Sequence, residues 1–368
     1  MNRTTARNVW QLLPDLDFGG VETATEITAG LRERGWNLTF VATRSGGRTA
    51  QKLKAQGCRV LQASYSSIPF DGALLFWLRH LIRRESPSLI HARCAEANFH
   101  SLLSNMFGSN VPCLVEEVGL ATTRSRLAHR IFARLYRRAA AVLYLSKEMQ
   151  RGFRKEGYTG KHQEVLPYPI RPEFLLPPPR KPRNQKTFRI LSVGRLVWEK
   201  AFGDLLQAAA HLRSQGHNFK INLCGEGPEK KNLSEKIREL SLGGNVRLCG
   251  YVPGEPGWYS EHDLFVLPSI QEGLGLVVAE SLAAGVPVVA TRTGGIPEIL
   301  GEAPEFGTLV SPSDPKSLAQ AMVSWFKLPA ADRRKRGARG RAEILQKFSP
   351  DRYLDRLEKL YRRLMAKP

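Results

Sequence analysis

The chain lacks the cysteine patterns and the long apolar runs that mark several classes of protein. Its five cysteines are scattered and form no CxxC pair. The sequence therefore indicates neither a zinc site nor a disulfide framework, and a reducing compartment is expected. No uninterrupted apolar run reaches the roughly 18 residues of a membrane-spanning helix. The first residues carry no signal-peptide hydrophobic region, so we expect a cytoplasmic protein.

Acidic side chains are few relative to basic ones. The 368 residues contain 55 Lys and Arg against 34 Asp and Glu, a net charge of +21. Residues 1–185 hold 28 basic against 14 acidic side chains, and the remainder holds 27 against 20. This asymmetry predicts an anionic partner for the first half: a membrane surface, an acidic acceptor or a nucleic acid. A merely solvated basic surface is the alternative.

Apolar segments of strand and helix length alternate along the first part of the chain. Strands are expected at residues 9–13, 36–43, 88–91, 111–115 and 140–145, and helices at 21–34, 74–84, 95–107 and 126–138. We expect the strand at 140–145 to be the last element of this set. Such alternation is typical of a parallel, doubly wound α/β sheet.

A proline-rich segment interrupts the pattern. Seven prolines lie between Leu166 and Pro182, which predicts an extended linker and a domain boundary. A second alternating set follows, with strands expected at residues 188–193, 220–224, 246–248, 264–267 and 286–291 and helices at 204–215, 229–240 and up to 284. We expect an N-terminal domain at 1–170, a linker at 171–187, a C-terminal domain at 188–348 and an amphipathic helix at 349–368 that packs back on the first domain.

The segment from Glu272 to Glu280 carries the strongest functional signal. It is a glycine-rich turn that follows the strand at 264–267 and opens a helix, with a carboxylate at each end. In open α/β sheets ligands bind at the carboxyl ends of strands, and free amides at a helix start favour phosphates. The turn therefore predicts a site for a phosphorylated ligand, with both glutamates available for hydroxyl groups.

Shorter motifs follow other predicted strands. Arg195 and Lys200 come after the strand at 188–193, where two cations can neutralise a diphosphate. Glycines at Gly19-Gly20 and in Gly225-Glu-Gly-Pro228 allow close backbone approach to a ligand, although each is equally an ordinary turn when taken alone. Two domains of this kind predict a central cleft that holds a nucleotide.

Together these motifs resemble the retaining glycosyltransferases of family 4, which have the two-domain GT-B fold. The resemblance covers nearly the whole chain and is densest from residue 188 to 300. It is carried by the following segments: Gly19-Gly20-Val-Glu22, Gly194-Arg195 with Lys200, Gly225-Glu-Gly-Pro228, Gly250-Tyr-Val252, Glu272 to Glu280, and Gly294-Gly-Ile-Pro-Glu298. It implies two Rossmann-like domains that face a central cleft.

The resemblance also implies roles for the site residues. Arg195 and Lys200 would stabilise the departing nucleoside diphosphate, and Glu272 would face the donor sugar. Gly275 and Leu276 would bind the phosphates, Val252 would lie near the base, and Glu280 would bind the ribose hydroxyls. Gly19, Gly20 and Gly225 would supply further donor contacts from their loops. The implied co-substrate is a nucleotide sugar, UDP-linked by preference, with no cofactor and no metal ion. Preorganised cations and helix amides stabilise leaving-group charge without a metal.

Two segments depart from the family pattern. Many members have a histidine near the reacting sugar, where this chain has Val115-Glu116-Glu117-Val118-Gly119, and relatives usually have Pro-Asn-Gly where this chain has Pro167-Tyr-Pro-Ile170. Glu116 or Glu117 is expected to take an acceptor-side role in place of the histidine. His91, at a predicted strand end, is a further acceptor-side candidate, although a lone histidine is more often structural.

Two other features invite functional interpretations. Asp15-Leu-Asp17 looks like a metal-binding motif of a different transferase fold, but in this loop we expect a turn element and no metal. The segment from Arg124 to Arg138 holds six arginines and no acid, and residues 74–84 repeat its apolar-and-basic composition. Such helices suit an anionic membrane surface, with Arg126, Arg130, Arg134 and Arg138 as contacts. An apolar core face with solvated arginines is an equal alternative.

Three functions are compatible with these signals. The first is a retaining glycosyltransferase that moves a sugar from a nucleotide donor to an envelope glycan or glycolipid (lipopolysaccharide, capsule or exopolysaccharide type) at the inner membrane face. The second is a nucleotide-sugar epimerase of the same fold, since fold does not fix function. The third is a basic nucleic-acid-binding protein, which leaves the carboxylate-flanked turn unexplained and for which no sequence motif is present. We therefore expect no nucleic-acid partner.

Overall fold

The chain forms two compact units, each built on one parallel sheet. The structure, a computed structural model, describes residues 8–17, 19–63, 71–106, 109–178, 187–252, 254–301 and 305–366. Unit 1 comprises the chain up to Pro169 together with the C-terminal segment from Pro350, and unit 2 comprises Ile170–Ser349. The expectation of two doubly wound α/β sheets is confirmed.

Unit 1 has a seven-stranded sheet in the order β3-β2-β1-β4-β5-β6-β7, and all its pairings are parallel. Its strands are β1 (Asn8–Asp15), β2 (Asn37–Ser45), β3 (Arg59–Gln62), β4 (Leu89–Arg93), β5 (Cys113–Glu117), β6 (Ala141–Tyr144) and β7 (Gln163–Val165). Its helices are α1 (Gly20–Thr28), α2 (Gly47–Ala55), α3 (Gly72–Glu85), α4 (Ala95–Asn105), α5 (Arg126–Tyr136) and α6 (Lys147–Lys155). The central strands are buried on both faces, as parallel strands covered by helices require.

Unit 2 has a six-stranded parallel sheet in the order β10-β9-β8-β11-β12-β13. Its strands are β8 (Phe188–Val193), β9 (Phe219–Cys224), β10 (Val246–Gly250), β11 (Leu264–Leu267), β12 (Val288–Thr291) and β13 (Gly307–Val310). Its helices are α7 (Phe202–Ser214), α8 (Lys230–Glu239), α9 (Pro256–Ser260), α10 (Leu276–Ala283), α11 (Ile296–Leu300), α12 (Pro315–Lys327) and α13 (Ala330–Phe348). Its hydrophobic core brings side chains of β8 and β9 together with those of α7 and α12.

The last helix, α14 (Pro350–Met365), belongs to unit 1. Its apolar face buries Tyr353, Leu357, Leu360 and Tyr361, among others. The ring of Tyr361 meets that of Trp36 edge to face at 5.6 Å. The helix is therefore fixed by the core of unit 1, although the whole of unit 2 separates it in sequence from the rest of that unit.

Several elements depart from the sequence expectation. The first helix is α-helical only to Thr28 and continues as a 3-10 helix over Ala29–Arg34, before ending at Gly35 as expected. The first set of elements does not close at β6, because α6 and β7 follow it. Both β3 and β7 were missed because they are short edge strands with polar residues and no apolar run. Edge strands need fewer apolar residues than central ones.

The described part of the proline-rich segment belongs to unit 2. It contains a 3-10 turn over Pro172–Phe174, and the Phe174 side chain is fully buried. Residues 179–186, the centre of the expected linker, lie outside the described part of the chain. Among the helices of the described residues, none has the length and apolar content needed to cross a bilayer.

Candidate active site

The strand order of unit 2 reverses between β8 and β11. From β8 the chain continues to β9 and β10 on one side, whereas from β11 it continues to β12 and β13 on the other. The loops that leave these two adjacent strands therefore diverge at the carboxyl edge of the sheet. A crevice opens at such a switch point, and it is the usual ligand site of open α/β sheets. The loop after β8 carries Arg195 and Lys200, and the loop after β11 carries Glu272.

Hydrogen bonds hold these two loops together. Lys200 ends a short 3-10 turn over Trp198–Lys200. The carbonyl oxygen of Glu199 in that turn accepts the backbone N–H of Ile270 at 2.8 Å. This bond brings the end of the first loop beside the start of the second, although the two loops are far apart in sequence.

Lys200 and Glu272 form an ion pair at the switch point. The Lys200 ammonium donates to Oε1 of Glu272, and the Ser269 hydroxyl donates to the same oxygen at 3.3 Å. The two side chains are 17% and 10% exposed. They are thus largely shielded yet reachable from the crevice. A partly shielded ion pair interacts more strongly than an exposed one because fewer waters screen it.

Glycines allow the surrounding loops to pack against one another without side chains. Gly294 has φ +53°, and a Cβ there would lie 1.8 Å from the carbonyl oxygen of Glu272. Gly225 has φ +148°, and a Cβ there would lie 1.9 Å from the carbonyl oxygen of Gly194. Only glycine fits either position. The loops after β9 and β12 therefore brace the loops that carry Lys200 and Glu272.

Gly275 and Leu276 form the start of α10. Gly275 is the N-cap in the left-handed conformation, with φ +82°, and Leu276 is the first helical residue. The backbone amides of a first helical turn have no intrahelical acceptor and carry the positive end of the helix dipole. The helix start follows the β11 loop directly, so its amides and the Lys200 ammonium lie at the same edge of the sheet.

Glu280 lies one turn further along α10 and is 7% exposed. Its Oε1 accepts from Nε of Arg171 at 2.9 Å, and its Oε2 accepts from the Tyr259 hydroxyl at 2.8 Å. Burial, followed by the Glu280 charge, raises the pKa of Tyr259 well above its usual value, so this hydroxyl keeps its proton and donates a hydrogen bond to the carboxylate at all ordinary pH values. Each carboxylate oxygen keeps further lone pairs.

Arg171 and Tyr259 were not anticipated from the sequence. Arg171 also donates to the carbonyl oxygen of Gly254, and its guanidinium lies 5.0 Å from the centre of the Phe174 ring. Phe174 in turn meets Tyr259 edge to face at 5.4 Å. Arg171 stands in the proline-rich segment, where no sequence motif marks it. Its pairing with Glu280 spans 109 residues.

The other expected donor contacts of unit 2 lie at the same edge of the sheet. Arg195 follows Gly194 directly after β8, and its side chain is exposed, with no ion-pair partner among the described residues. Val252 is half-buried and follows β10. The backbone N–H of Gly225 donates to the carbonyl oxygen of Gly250 at 2.7 Å, which joins the β9 and β10 loops. Unit 2 thus gathers all its expected donor residues at one edge.

Unit 1 has its own switch point, between β1 and β4. Gly19 and Gly20 lie there, exposed, as the N-cap and first residue of α1. The Glu22 carboxylate folds back over Gly19, where a Cβ would lie 2.5 Å from its Oε2. Burial and, to a smaller degree, the charges of Asp15 and Asp17 raise the pKa of Glu22. Asp17 accepts the backbone N–H of Arg48 at 3.1 Å, which is the behaviour of a turn element.

His91 and Glu116 lie inside unit 1. His91 is fully buried; its Nε2 is 2.8 Å from Oε2 of Glu116, and its Nδ1 is 2.7 Å from the Tyr361 hydroxyl. The same glutamate oxygen accepts from Nε of the fully buried Arg93 at 2.9 Å. Burial opposes ionisation, yet the charge of Arg93 and the hydrogen bond from His91 hold the pKa of Glu116 below its usual value. This cluster ties β4 and β5 to α14.

Glu117 is equally enclosed. Its two oxygens accept from Nη1 and Nη2 of Arg124 at 2.9 and 2.7 Å, and Tyr136 donates to Oε1. Glu117 and Tyr136 are fully buried. A buried carboxylate with this many donors is already satisfied. His91, Glu116 and Glu117 thus organise the interior of unit 1, and their expected acceptor-side role stays a prediction.

The predicted membrane-surface arginines lie on or beside α5. Arg126, Arg130 and Arg134 project from the helix, Arg138 follows its end, and all four are exposed. Leu127 and Ile131 on the same helix are also exposed, whereas Leu135 and Tyr136 are buried. The buried face agrees with the alternative in which α5 packs an apolar face against the core. The exposed apolar residues do not agree with that alternative.

Comparison with known proteins agrees with this arrangement. The family model described as "Glycosyl transferase 4-like domain" matches residues 18–169, and the model "Glycosyl transferases group 1" matches residues 178–343. The chain belongs to the family 4 glycosyltransferases. The first model falls within unit 1 and the second within unit 2, so the family assignment extends over both sheets.

Three similar proteins illustrate the relationship. WcaL of Escherichia coli, whose name assigns it provisionally to colanic acid biosynthesis as a glycosyltransferase, is 33% identical over 147 residues, 38% of this chain and 36% of WcaL. AmsK of Erwinia amylovora, an amylovoran biosynthesis glycosyltransferase, is 30% identical over 200 residues, 52% of this chain and 49% of AmsK. The solved structure of HepE from Anabaena, in complex with UDP and glucose, covers 96% of this chain and 99% of HepE with a TM-score of 0.82 and 18% identity.

These likenesses differ in what they establish. The matches to WcaL and AmsK span less than half the length of either protein. The likeness to HepE shows the fold, which is GT-B, as the sequence predicted. Relatives of this chain are glycosyltransferases of colanic acid, amylovoran, lipopolysaccharide core and teichuronic acid biosynthesis.

Proposed function

We propose that this protein is a retaining, metal-independent glycosyltransferase that moves a sugar from a nucleoside-diphosphate sugar to a cell-envelope glycan or glycolipid. The observation that carries the proposal is the pairing of Lys200 with Glu272 at the switch point of unit 2. It joins the cation needed by a departing diphosphate to a carboxylate able to accept from sugar hydroxyls. Family membership gives this pair its chemical context.

The main chemical task is to stabilise charge on the departing diphosphate. Lys200 and Arg195 bring two cations to the loop after β8, and the first amides of α10 add the positive end of a helix dipole. Groups that are fixed before the reaction stabilise a developing charge without the cost of reorganisation. The chain's own cations thus supply the neutralisation that a metal ion provides in other transferases.

Glu272 and Glu280 recognise different parts of the donor. Glu272 binds hydroxyls of the transferred sugar, next to the ammonium that meets the diphosphate. Glu280, fixed by Arg171 and Tyr259, directs its remaining lone pairs at the ribose hydroxyls. Gly275 and Leu276 meet the phosphates, and Val252 meets the base. In unit 1, the backbone of Gly20 can approach a phosphate closely, because no atom lies within 4 Å of where its Cβ would stand, whereas the Glu22 carboxylate covers Gly19.

The reaction exchanges one bond at the anomeric carbon for another. The bond to the β-phosphate oxygen breaks, and an acceptor hydroxyl oxygen bonds to the same carbon on the same face. The hydroxyl proton leaves with the diphosphate. Retention follows the family resemblance, and neither glutamate is free to act as a base of the glycosidase kind, because Glu272 is paired with Lys200 and Glu280 with Arg171.

The relatives support a choice of donor and acceptor. HepE was solved with UDP and glucose, which supports a UDP-sugar as the donor here. The names of WcaL and AmsK refer to colanic acid and amylovoran biosynthesis, which supports a glycan as the acceptor. We place the acceptor on a lipid at the inner face of the plasma membrane, where the protein would work from the cytoplasm.

A donor-and-acceptor assay tests the proposal. The protein is incubated in EDTA with a panel of UDP-, GDP- and ADP-sugars and a lipid-linked glycan extract, and the anomeric configuration of the product is read by NMR. We expect transfer with retention from one donor. Formation of an epimer of the donor without acceptor would instead support an epimerase, and an inverted product would refute retention.

A further inference from the structure

The outward face of α5 combines exposed aliphatic side chains with arginines. Leu127 is 67% exposed and Ile131 is 47% exposed. Arg126, Arg130 and Arg134 lie on the same arc of the helix and are exposed as well. We call these five residues the α5 surface. At roughly 100° per residue all five fall within an arc of about 140°.

The fold does not require this surface. The opposite side of α5 supplies the core contacts: Phe132 meets Phe99 at 5.6 Å and Tyr136 at 5.9 Å between ring centres. The helix start is capped by Ser125, whose hydroxyl accepts the N–H of Ala128 at 3.2 Å. Leu127 and Ile131 therefore add little to the stability of unit 1 while exposing apolar area to water.

The charge on this surface is of one sign. The helix α5 contains no acidic residue. Arg124, just before it, is used internally by Glu117, whereas Arg126, Arg130 and Arg134 have no ion-pair partner among the described residues. A protein partner would need acidic groups at matching positions. Anionic lipid headgroups move laterally and so adapt to any spacing of cations.

The apolar component distinguishes a bilayer from a nucleic acid. Phosphate backbones attract arginines but offer no apolar volume to Leu127 or Ile131. An interfacial helix places its aliphatic residues among the acyl chains and its arginines among the headgroups. A second apolar side chain, Phe76 of α3, is 73% exposed. The helix α4 contacts both α3 and α5, so the two exposed sites belong to one helical layer.

The orientation of the layer also suits a membrane-bound acceptor. In a parallel sheet each helix begins near the carboxyl edge, where the preceding strand ends. Leu127 lies in the first turn of α5 and Phe76 in the second turn of α3. Both side chains therefore stand toward the edge of unit 1 at which ligands bind.

We propose that the α5 surface docks on an anionic lipid bilayer, with Leu127 and Ile131 inserted and the three arginines at the headgroups. This inference rests on the proposed function in one respect only, namely that the acceptor lies at the membrane. Lipid binding itself requires neither donor nor acceptor.

Co-sedimentation with vesicles tests the docking. The full chain is mixed at low salt with vesicles in which phosphatidylglycerol is the minor component and phosphatidylcholine the major one, and separately with pure phosphatidylcholine. We expect binding to the anionic vesicles that weakens at high salt, because salt screens the arginines. The triple variant Arg126→Gln, Arg130→Gln, Arg134→Gln should bind about a hundredfold more weakly, from about fivefold per cation.

Matched variants distinguish an effect of the α5 surface on vesicle binding from an effect of the protein's overall charge. The triple variant Arg238→Gln, Arg334→Gln, Lys335→Gln removes the same charge from exposed positions of unit 2 and should keep nearly full binding. Leu127→Asn with Ile131→Asn keeps every cation and should lose at least tenfold, with an unchanged melting curve. Equal losses in both charge variants, no effect of the asparagines, or no vesicle binding by the wild type would each overturn the proposal. Vesicle binding without sugar transfer would refute the transferase function alone.

Discussion

Lys200 and Glu272, 72 residues apart in sequence, form an ion pair at the point where the strand order of unit 2 reverses. The pair joins the loop after β8 to the loop after β11. Each partner fixes the other: the carboxylate holds the ammonium in the crevice, and the ammonium orients the carboxylate. This mutual positioning is the structural basis of the donor site that we propose.

Replacing Lys200 by Gln should lower kcat at least a hundredfold, because an uncharged amide stabilises the departing diphosphate far less. Glu272→Gln should give a comparable loss. Steady-state turnover of the nucleotide sugar measures both. The control is Lys347→Gln, which breaks an exposed ion pair with Glu343 on α13; exposed pairs of this kind contribute little. Near wild-type turnover in Lys200→Gln would refute its assignment.

The contacts of Glu280 predict a change in donor affinity. Arg171→Gln removes the cation that fixes Oε1, and Tyr259→Phe removes the donor at Oε2. Loss of a hydrogen bond to a charged group costs about 1.5–3 kcal/mol, so donor KM should rise about tenfold or more while kcat changes little. Arg171→Lys should restore part of the affinity. A fall in kcat with unchanged KM would contradict a positioning role at the ribose.

Gly294→Ala should destabilise unit 2 and weaken donor binding together. The new Cβ would collide with the backbone of Glu272, and the left-handed conformation adds roughly 1–2 kcal/mol. We expect the melting temperature to fall by several degrees. Gly243→Ala is the matched control, since no atom lies within 4 Å of its added Cβ. Equal melting temperatures for both variants would show that the β12 loop is not packed as described.

The buried His91 predicts a dependence of stability on pH. Burial, and then the charge of Arg93, lower the pKa of His91 to about 4. The unfolded chain takes up this proton near pH 6.5, so stability is fully present above that value and is lost as the pH falls toward 4. The lowered pKa of Glu116 acts in the same direction at still lower pH.

The loss due to His91 is at most about 3 kcal/mol. Urea unfolding followed between pH 7.5 and 4.5 measures it, and His91→Gln should flatten the profile because the amide can meet both Glu116 and Tyr361 without titrating. An identical pH profile in wild type and variant would mean that another group carries the effect.

Much of the fold was accessible from the sequence because its central strands are apolar runs ended by glycine or proline. The strand β8 and the strand β11 were placed at their observed residues for this reason. The edge strands β3 and β7 were not, since polar residues suffice where only one neighbour pairs. The long helix α13 was also missed. Its Gly337 and Gly340 lower its helix propensity. They also let α13 lie close to the chain after α10, because a Cβ at Gly337 would lie 2.1 Å from the carbonyl oxygen of Gly285.

Some residues of the candidate site could likewise be predicted from the sequence, and others could not. Lys200 and Glu272 were found because each stands in a local motif after a strand. Arg171 was not, because its importance comes only from a contact 109 residues away. The enclosure of His91, Glu116 and Glu117 was not foreseen, because position at a strand end does not reveal which neighbours surround a side chain. Arg93 and Arg124 enclose these residues, and no pattern in the sequence links them.

The proposed function requires that unit 2 bind a nucleoside diphosphate through Lys200 without a metal ion. Titration calorimetry of the full chain with UDP, and then with GDP and ADP, in the presence of EDTA measures this binding. We expect one-to-one binding of one nucleotide by the wild type and by Lys347→Gln, and binding at least tenfold weaker by Lys200→Gln. No binding of any of the three by the wild type, or equal affinity in Lys200→Gln, would contradict it.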